Sequence, residues 1–335
     1  MASYTGASQP ASAFHKVIDA GNEFDGDLDN MWKFFILNNS KPVGYMAEEF
    51  AKQMDWEGTF FKVCESTRTI HLNPDLLPGE DATEVCKQQF TRLCEINRSR
   101  FNGVLDTWLS RKPSFEAIRF LDSPGAMLEI PTPLRGIFGI VTAGVHLNVY
   151  TIIGGQIFMW VAKRSQTASY PGMMDQPVAG GMDPEDGYDA WAALEHEAWE
   201  EAGLVLDRTS QKLMESCHTY VYPVEGPSRI SFYDRKNRDA GDAHGHIEPG
   251  VRFVFDVEFD PDHVFAPSTD DAVGYVILQS VNEVTEDMFN NKWKPNSALA
   301  ALDFLLRKGC IVDDGDGTID ELRARLQRPL PLATE

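Results

Sequence analysis

The stretch AGGMDPEDGYDAWAALEHEAWEEAGLV, residues 179–205, decides the fold. Two glycines and an Asp-rich coil lead into a helix expected over about 188–202, and Gly203 supplies a natural stop. Glu197, Glu200 and Glu201 stand at i, i+3 and i+4. At about 100° per residue their carboxylates share one helical face. Like charges gathered in this way repel unless something neutralises them, and a hard divalent cation with oxygen ligands does so. The bland reading is a solvated acidic face, which is the common fate of charge runs. Against it, Trp191, Ala198, Trp199 and Leu204 make the segment too apolar for a fully exposed helix. The Gly-rich turn also leaves backbone carbonyls near the carboxylates that can add a ligand.

Outward from this helix the pattern is strand-rich. On the N-terminal side GIFGIVT and VHLNVYTII are followed by a turn at Gly154-Gly155 and by QIFMWVA. On the C-terminal side strands are expected near 217–222, 229–234, 251–259 and 273–279, then helices at about 281–290 and 297–308. The first third mixes both signals. Strands are expected at 30–37, 58–63, 68–72 and 115–120, and helices at 46–54 and 81–98. In the last of these Ala82, Cys86, Phe90 and Leu93 make one apolar stripe. The proline-punctuated stretch SPGAMLEIPTPLRG reads as a break between domains. The expected division is a disordered lead-in over 1–13, a smaller α/β domain over 14–133, a second domain over 134–312, and a tail with one short helix over 313–335. The fold class is α/β (α+β).

With 335 residues, 43% hydrophobic and 11% aromatic, the chain can bury two cores and belongs to the globular class. A net charge of −21 argues against a nucleic-acid partner, which needs a basic surface to neutralise phosphates. The same acidity means that a phosphate substrate needs a metal or a local cluster of lysine and arginine. No uncharged apolar run reaches the roughly 18 residues of a membrane span, so no membrane partner is expected. The N-terminus has neither the basic and apolar regions of a secretory signal nor the arginines of a mitochondrial presequence. The five cysteines are odd in number and include no CxxC, which suits free thiols in a reducing compartment. Those features together point to a cytoplasmic protein; oligomerisation is left open.

The segment HEAWEEAGL resembles the second half of the Nudix box, G-x5-E-x7-R-E-U-x-E-E-x-G-U, on Glu197, Ala198, Glu200, Glu201, Gly203 and Leu204. FGIVTAGVHLNVY, PGMMDQPVAGG and KWKPNSALAALDFLLRKG are similar to segments of the thiamine-pyrophosphokinase-related Nudix subfamily. PVGYMAEEFAKQM and STRTIHL are similar to the N-terminal domain of that subfamily, so the likeness runs over about residues 14–312. It implies an α/β/α sandwich with a mixed sheet, and Mg²⁺- or Mn²⁺-dependent hydrolysis of a small diphosphate. Thiamine diphosphate, particularly its oxidised forms, is the implied substrate, cut to the monophosphate. By the same likeness Glu197, Glu200, Glu201 and the carbonyl of Gly181 are metal ligands, and Glu200 or Glu201 helps to deprotonate the attacking water.

Two departures from the box are visible. Its first glutamate falls on Tyr188 and its arginine is His196, so the ion pair that braces the loop in the usual box is replaced. A Tyr188–His196 hydrogen bond, or a pairing of His196 with Asp186 or Asp189, can take its place, which puts Tyr188 and His196 among the catalytic candidates. Downstream, Ala272 and Gly274 stand where the subfamily has acids facing the site, leaving Asp270 and Asp271 nearest. Substrate binding is expected from Lys163, Arg164, Asp175 and Asp271, with Lys292 and Lys294 as weaker candidates.

Other features carry less. His244, His246 and Glu248 read as a flexible loop near the site mouth, Cys217-His218 as neighbours on opposite strand faces, and His146 as a satisfied strand histidine. DDGDGTIDELR lacks the ligands of a calcium loop. Two other functions fit the sequence: a repurposed enzyme acting on another diphosphate or catalysing a non-hydrolytic step, and a binding protein with a degenerate box.

Overall fold

The computed structural model describes residues 9–24, 26–111, 113–119, 121–122, 127–187, 189–215, 220–265, 273–315 and 317–334. Its strands form a four-stranded sheet, a nine-stranded sheet and a hairpin. In the small sheet Trp32–Ile36 runs parallel to Thr69–Leu72, while Gly44–Met46 and Phe61–Cys64 flank them antiparallel. The helix Ala82–Ile96 starts on the Asp81 side chain, which accepts from the Thr83 N–H at 2.9 Å. It buries Cys86, Phe90, Leu93 and Cys94. Phe34, Phe61, Phe90 and Phe138 meet there, all six ring pairs lying within 6.2 Å. Each such pair adds about 0.5–1.5 kcal/mol beyond area burial.

The large sheet runs in the order Leu204–Asp207, Lys212–Glu215, Val221–Arg235, Ile247–Glu258, Thr142–Ile153, Gln156–Arg164, Val273–Ser280. Met174–Asp175 pairs with Gln156–Arg164, and Val178–Gly181 with Thr142–Ile153. Among the described residues only Thr142–Ile153 and Ile247–Glu258 pair as parallel strands within this sheet, which makes it mixed. Thr142–Ile153 is buried on both sides along most of its length, as a central strand covered by helices on both faces must be. One cover is the helix Ala190–Ala202; the other is Pro295–Arg307 with Val281–Phe289. The result is the expected α/β class with an α/β/α sandwich around a mixed sheet. Two strands expected near 217–222 and 229–234 are, over the described residues, one long strand, Val221–Arg235.

The expected partition of the chain differs from what packs together. Leu128–Pro131 pairs with Phe115–Ile118, and Thr132–Phe138 is a helix. Leu134, Ile137, Phe138 and Ile140 lie in the first core, so this unit runs past residue 133 to about 140. Pro133 occupies the first helical turn, where its missing N–H costs no hydrogen bond; the prolines start a helix and do not mark a linker. At the N-terminus Ala11–Phe14 is already a 3-10 turn, not disordered lead-in. Ala11, Phe14, Val17 and Ile18 are buried with Leu299 and Leu302, in the second core and not the first. The helix Thr318–Arg325 sets Leu322 in that same core. Arg328 then donates to the carbonyls of Asn22 and Phe24 and ties both chain ends together. Cys86, Cys94 and Cys310 are buried free thiols and Cys64 an exposed one. No described helix is long and apolar enough to cross a membrane.

Candidate functional site

The acidic helix begins on Asp189, whose carboxylate accepts from the N–H of Trp191 at 2.9 Å. It ends at Gly203 in the left-handed conformation, φ 62°. Its buried stripe is Ala190, Ala193, Leu194 and Ala198. Three of the four are alanines, so the helix sits close to the sheet, and Glu197 and Glu201 reach the strand Val178–Gly181. Trp191 packs edge-on to Phe255, whereas Trp199 is 56% exposed, so the second tryptophan adds nothing to the buried face.

Glu201 accepts from the N–H of Ala179 at 2.6 Å. The Glu197 carboxylate lies directly against Gly180, where a Cβ would overlap it. Any side chain there would force the Glu197 carboxylate, the end of a flexible side chain, to move. Burial pushes the Glu197 carboxyl up to about 7; His196 opposes this, and Asp183, Glu200 and Asp186 add to it. Glu200 lies farther out and receives His196 Nε2 at 3.1 Å. Burial works against the charged form of His196, but Glu200, Glu197 and Asp186 outweigh it and raise its pKa. Of the two aspartates that could replace the box ion pair, Asp186 is the one facing His196, Oδ1 to Nδ1 3.8 Å. Asp189 instead caps the helix and pairs with Arg208. Tyr188 lies outside the described residues, as do Asp270, Asp271, Ala272, Cys217 and His218.

The loop leading into the helix is held from the other sheet unit. Arg119, just beyond Phe115–Ile118, donates to the carbonyls of Met182 at 2.7 Å and Asp183 at 3.1 Å, and to that of Gly187. A guanidinium can satisfy several carbonyls at once because its donors are fixed in a plane.

Ala179, Gly180, Gly181 and Glu201 form one side of a cavity of about 260 Å³. The other side carries cations. Arg164 pairs with Asp175 at 2.8 Å, and Lys294 reaches the same carboxylate at 3.2 Å. Lys236 and Arg252 pair with Glu248 at 2.7 and 2.8 Å. Burial would raise both carboxyls, but the neighbouring cations prevail. Lys294 and Arg164 hold Asp175 at about 2, and Lys236, Arg252 and Arg135 hold Glu248 well below the usual range. Burial lowers the Lys294 ammonium, with Asp175 offsetting part of the effect.

Among the expected site residues, Glu201, Gly181 and Arg164 come together at this cavity, with Glu197 behind Gly180. Lys294, a weaker candidate, is also there. Lys163 is not: it neighbours Arg164 on a strand, so the two point to opposite faces, and its ammonium lies 5.8 Å from the Tyr275 ring centroid. Asp175 does not face the cavity; its carboxylate is consumed by Arg164, Lys294 and Ser297. Lys292 pairs with Asp287. His146 lines the cavity with Nδ1 on Gln176 at 2.8 Å, and burial keeps it neutral with a pKa of about 3. Lys236, Glu248 and Arg252 were not legible as a set. Glu248 and His246 are buried, not part of a flexible loop, and the signal for them was a strand with charges where a core strand should carry apolar residues.

Among the described residues no group of three or more His, Cys, Asp or Glu side chains is placed to hold a metal ion. The donor chemistry still suits a hard cation: three carboxylates on neighbouring turns, one of them pushed towards neutrality by burial and then by Asp183, Glu200 and Asp186.

No family model matches the chain. It is similar to Nudix hydrolase 24, chloroplastic, of Arabidopsis thaliana, at 27% identity over 94% of this chain and 78% of that protein. Nudix hydrolase 20, chloroplastic, of the same plant is 29% identical over 93% of this chain and 77% of its own length. The protein YJR142W of Saccharomyces cerevisiae, carried as uncharacterized, is 29% identical over 70% of this chain, and the match spans only 62% of that relative. Among solved structures, the NUDIX domain of Shewanella oneidensis NrtR with ADP ribose overlaps 50% of this chain and 90% of its own, with a TM-score of 0.33 and 13% identity.

Proposed function

Taking as premise that the chain is Nudix hydrolase-like over most of its length, we propose that it hydrolyses a diphosphate-linked small molecule. The observation that carries this reading is one cavity lined by Glu201 of the acidic helix and by the cationic side chains of Arg164, Lys236, Arg252 and Lys294. Arg164 and Lys294 share the buried Asp175, and Lys236 and Arg252 share the buried Glu248, so two cations meet each of these carboxylates beside the cavity. Glu197, Glu200 and Glu201, with the carbonyl of Gly181, would hold a magnesium or manganese ion. When bound, such an ion neutralises diphosphate charge and acidifies a water. Arg164 and Lys294 orient the diphosphate, Arg252 and Lys236 balance its charge, and the fixed turn at Gly180–Gly181 keeps water and phosphorus in register.

By resemblance, the substrate is thiamine diphosphate or an oxidised derivative, cut to the monophosphate and phosphate. The test is phosphate release from a panel of diphosphates with and without Mg²⁺. Metal-dependent turnover that falls about 10³-fold in Glu201→Gln, near 4 kcal/mol of barrier, supports the proposal. No turnover of any diphosphate, or unchanged turnover in that variant, defeats it.

A further inference from the structure

A second, larger cavity of about 590 Å³ adjoins the cation wall and shares Arg135, Ser169, Tyr170, Lys236 and Glu248 with it. The diphosphate chemistry leaves it unused. Its far side is built by the other sheet unit, from the helix Val104–Ser110 and the start of Thr132–Phe138. Trp108 is fixed there: its Nε1 donates to the Ser114 carbonyl at 2.8 Å, and its ring stands edge-on to Phe115 at 5.4 Å. A rigid aromatic wall costs little entropy to present to a ligand. Thr107, Ser114, Thr132 and Thr167 line the same space, with the Thr132 hydroxyl donating to that of Ser114 at 2.9 Å.

The buried charges around it are already matched, Arg135 to Glu116 and Lys236 to Glu248. Burial keeps His246 neutral, with a pKa of about 4. The volume falls in the usual range for small-molecule sites, about 300–1,000 Å³.

We infer that this inter-unit cavity seats the organic arm of the diphosphate substrate, and that the arm is a polar, ring-bearing group of nucleoside or vitamin size held by ring contact and hydrogen bonds. The inference rests on the proposed function for its diphosphate anchor. It gives the N-terminal unit a role in specificity, through Thr107, Trp108 and Ser114.

The test uses binding, so that it stands apart from turnover. Thr107 is exposed at the cavity mouth, and Thr107→Trp fills the space without touching either core. Calorimetry on the full chain in metal-free buffer compares ADP and thiamine diphosphate with inorganic diphosphate, which has no arm. The expected result is that at least one ester binds wild type about 10-fold tighter than inorganic diphosphate, and that Thr107→Trp removes this advantage while leaving inorganic diphosphate unchanged. Two ester affinities no better than that of inorganic diphosphate overturn the inference. So does a variant that weakens all probes equally, or none. If the arm effect is found but no diphosphate is hydrolysed with Mg²⁺, the proposed reaction falls and the binding site stands.

Discussion

Glu197, Glu200 and Glu201 sit on a single helix within two turns, whereas Arg164, Lys236, Arg252 and Lys294 arrive at the opposite wall from four separate places in the chain. The two walls are also finished differently. Each cation is pinned to a buried carboxylate, with ion-pair distances of 2.7 to 3.2 Å. On the acidic wall Glu201 accepts from the Ala179 N–H, Glu200 meets His196, and burial pushes Glu197 up to about 7. A wall whose charges are already paired is preorganised and contributes position. A wall of three carboxylates on neighbouring turns, one of them raised by burial and by nearby acids, gains more from a bound ion.

Breaking the acidic wall should therefore cost more than trimming the cationic one. Gly180→Ala would drive a methyl into the Glu197 carboxylate. We expect metal affinity and turnover to fall by about 10²-fold, the upper end for disturbed ligand support, read by metal titration and steady-state kinetics. A variant that retains wild-type metal affinity would mean that Glu197 is no ligand.

On the other wall, Lys294→Met removes one cation while Asp175 keeps Arg164 and Ser297. KM should rise about 10-fold with kcat nearly constant, the pattern of lost uniform binding; a fall in kcat alone would erase the distinction between the walls. Arg119→Ala tests whether the loop brace matters to the acidic side. Turnover should drop by several-fold to about 10-fold with less change in KM, and Arg119→Lys should restore only part of it because an ammonium lacks the planar fork.

The smallest effect concerns Asp234, buried near Glu248, whose carboxyl is raised to about 7 by burial and by Glu248, against Lys236. A raised carboxyl keeps its proton longer in the folded state, so stability falls as pH rises from about 4 to 7. Asp234→Asn should flatten that part of the Tm-versus-pH curve, and an unchanged slope would show that the group does not titrate there.

Much of the sandwich was legible because its signals are local. The central strand Thr142–Ile153 sets Val145, Leu147 and Val149 at a period of two, and the acidic helix carries its own cap and its own glycine stop. The prolines near 131–133 misled because a proline in a first helical turn and a proline in a linker look alike in sequence. Only burial of Leu134, Ile137 and Phe138 separates them. Residues 11–18 likewise carry no mark of which core they join.

The sequence alone determined the mixed α/β class, the helical stripe of three glutamates and the box-like glycine turn, since each follows from periodicity over one element. It also offered Asp186 as a partner for His196 but could not choose it over Asp189. Tertiary structure decided the cation wall, the brace by Arg119 and the shared cavity. Residues such as Asp175 and Lys294, or Glu248 and Lys236, meet only when strand register and sheet order bring distant segments together, and no spacing along the chain encodes that meeting.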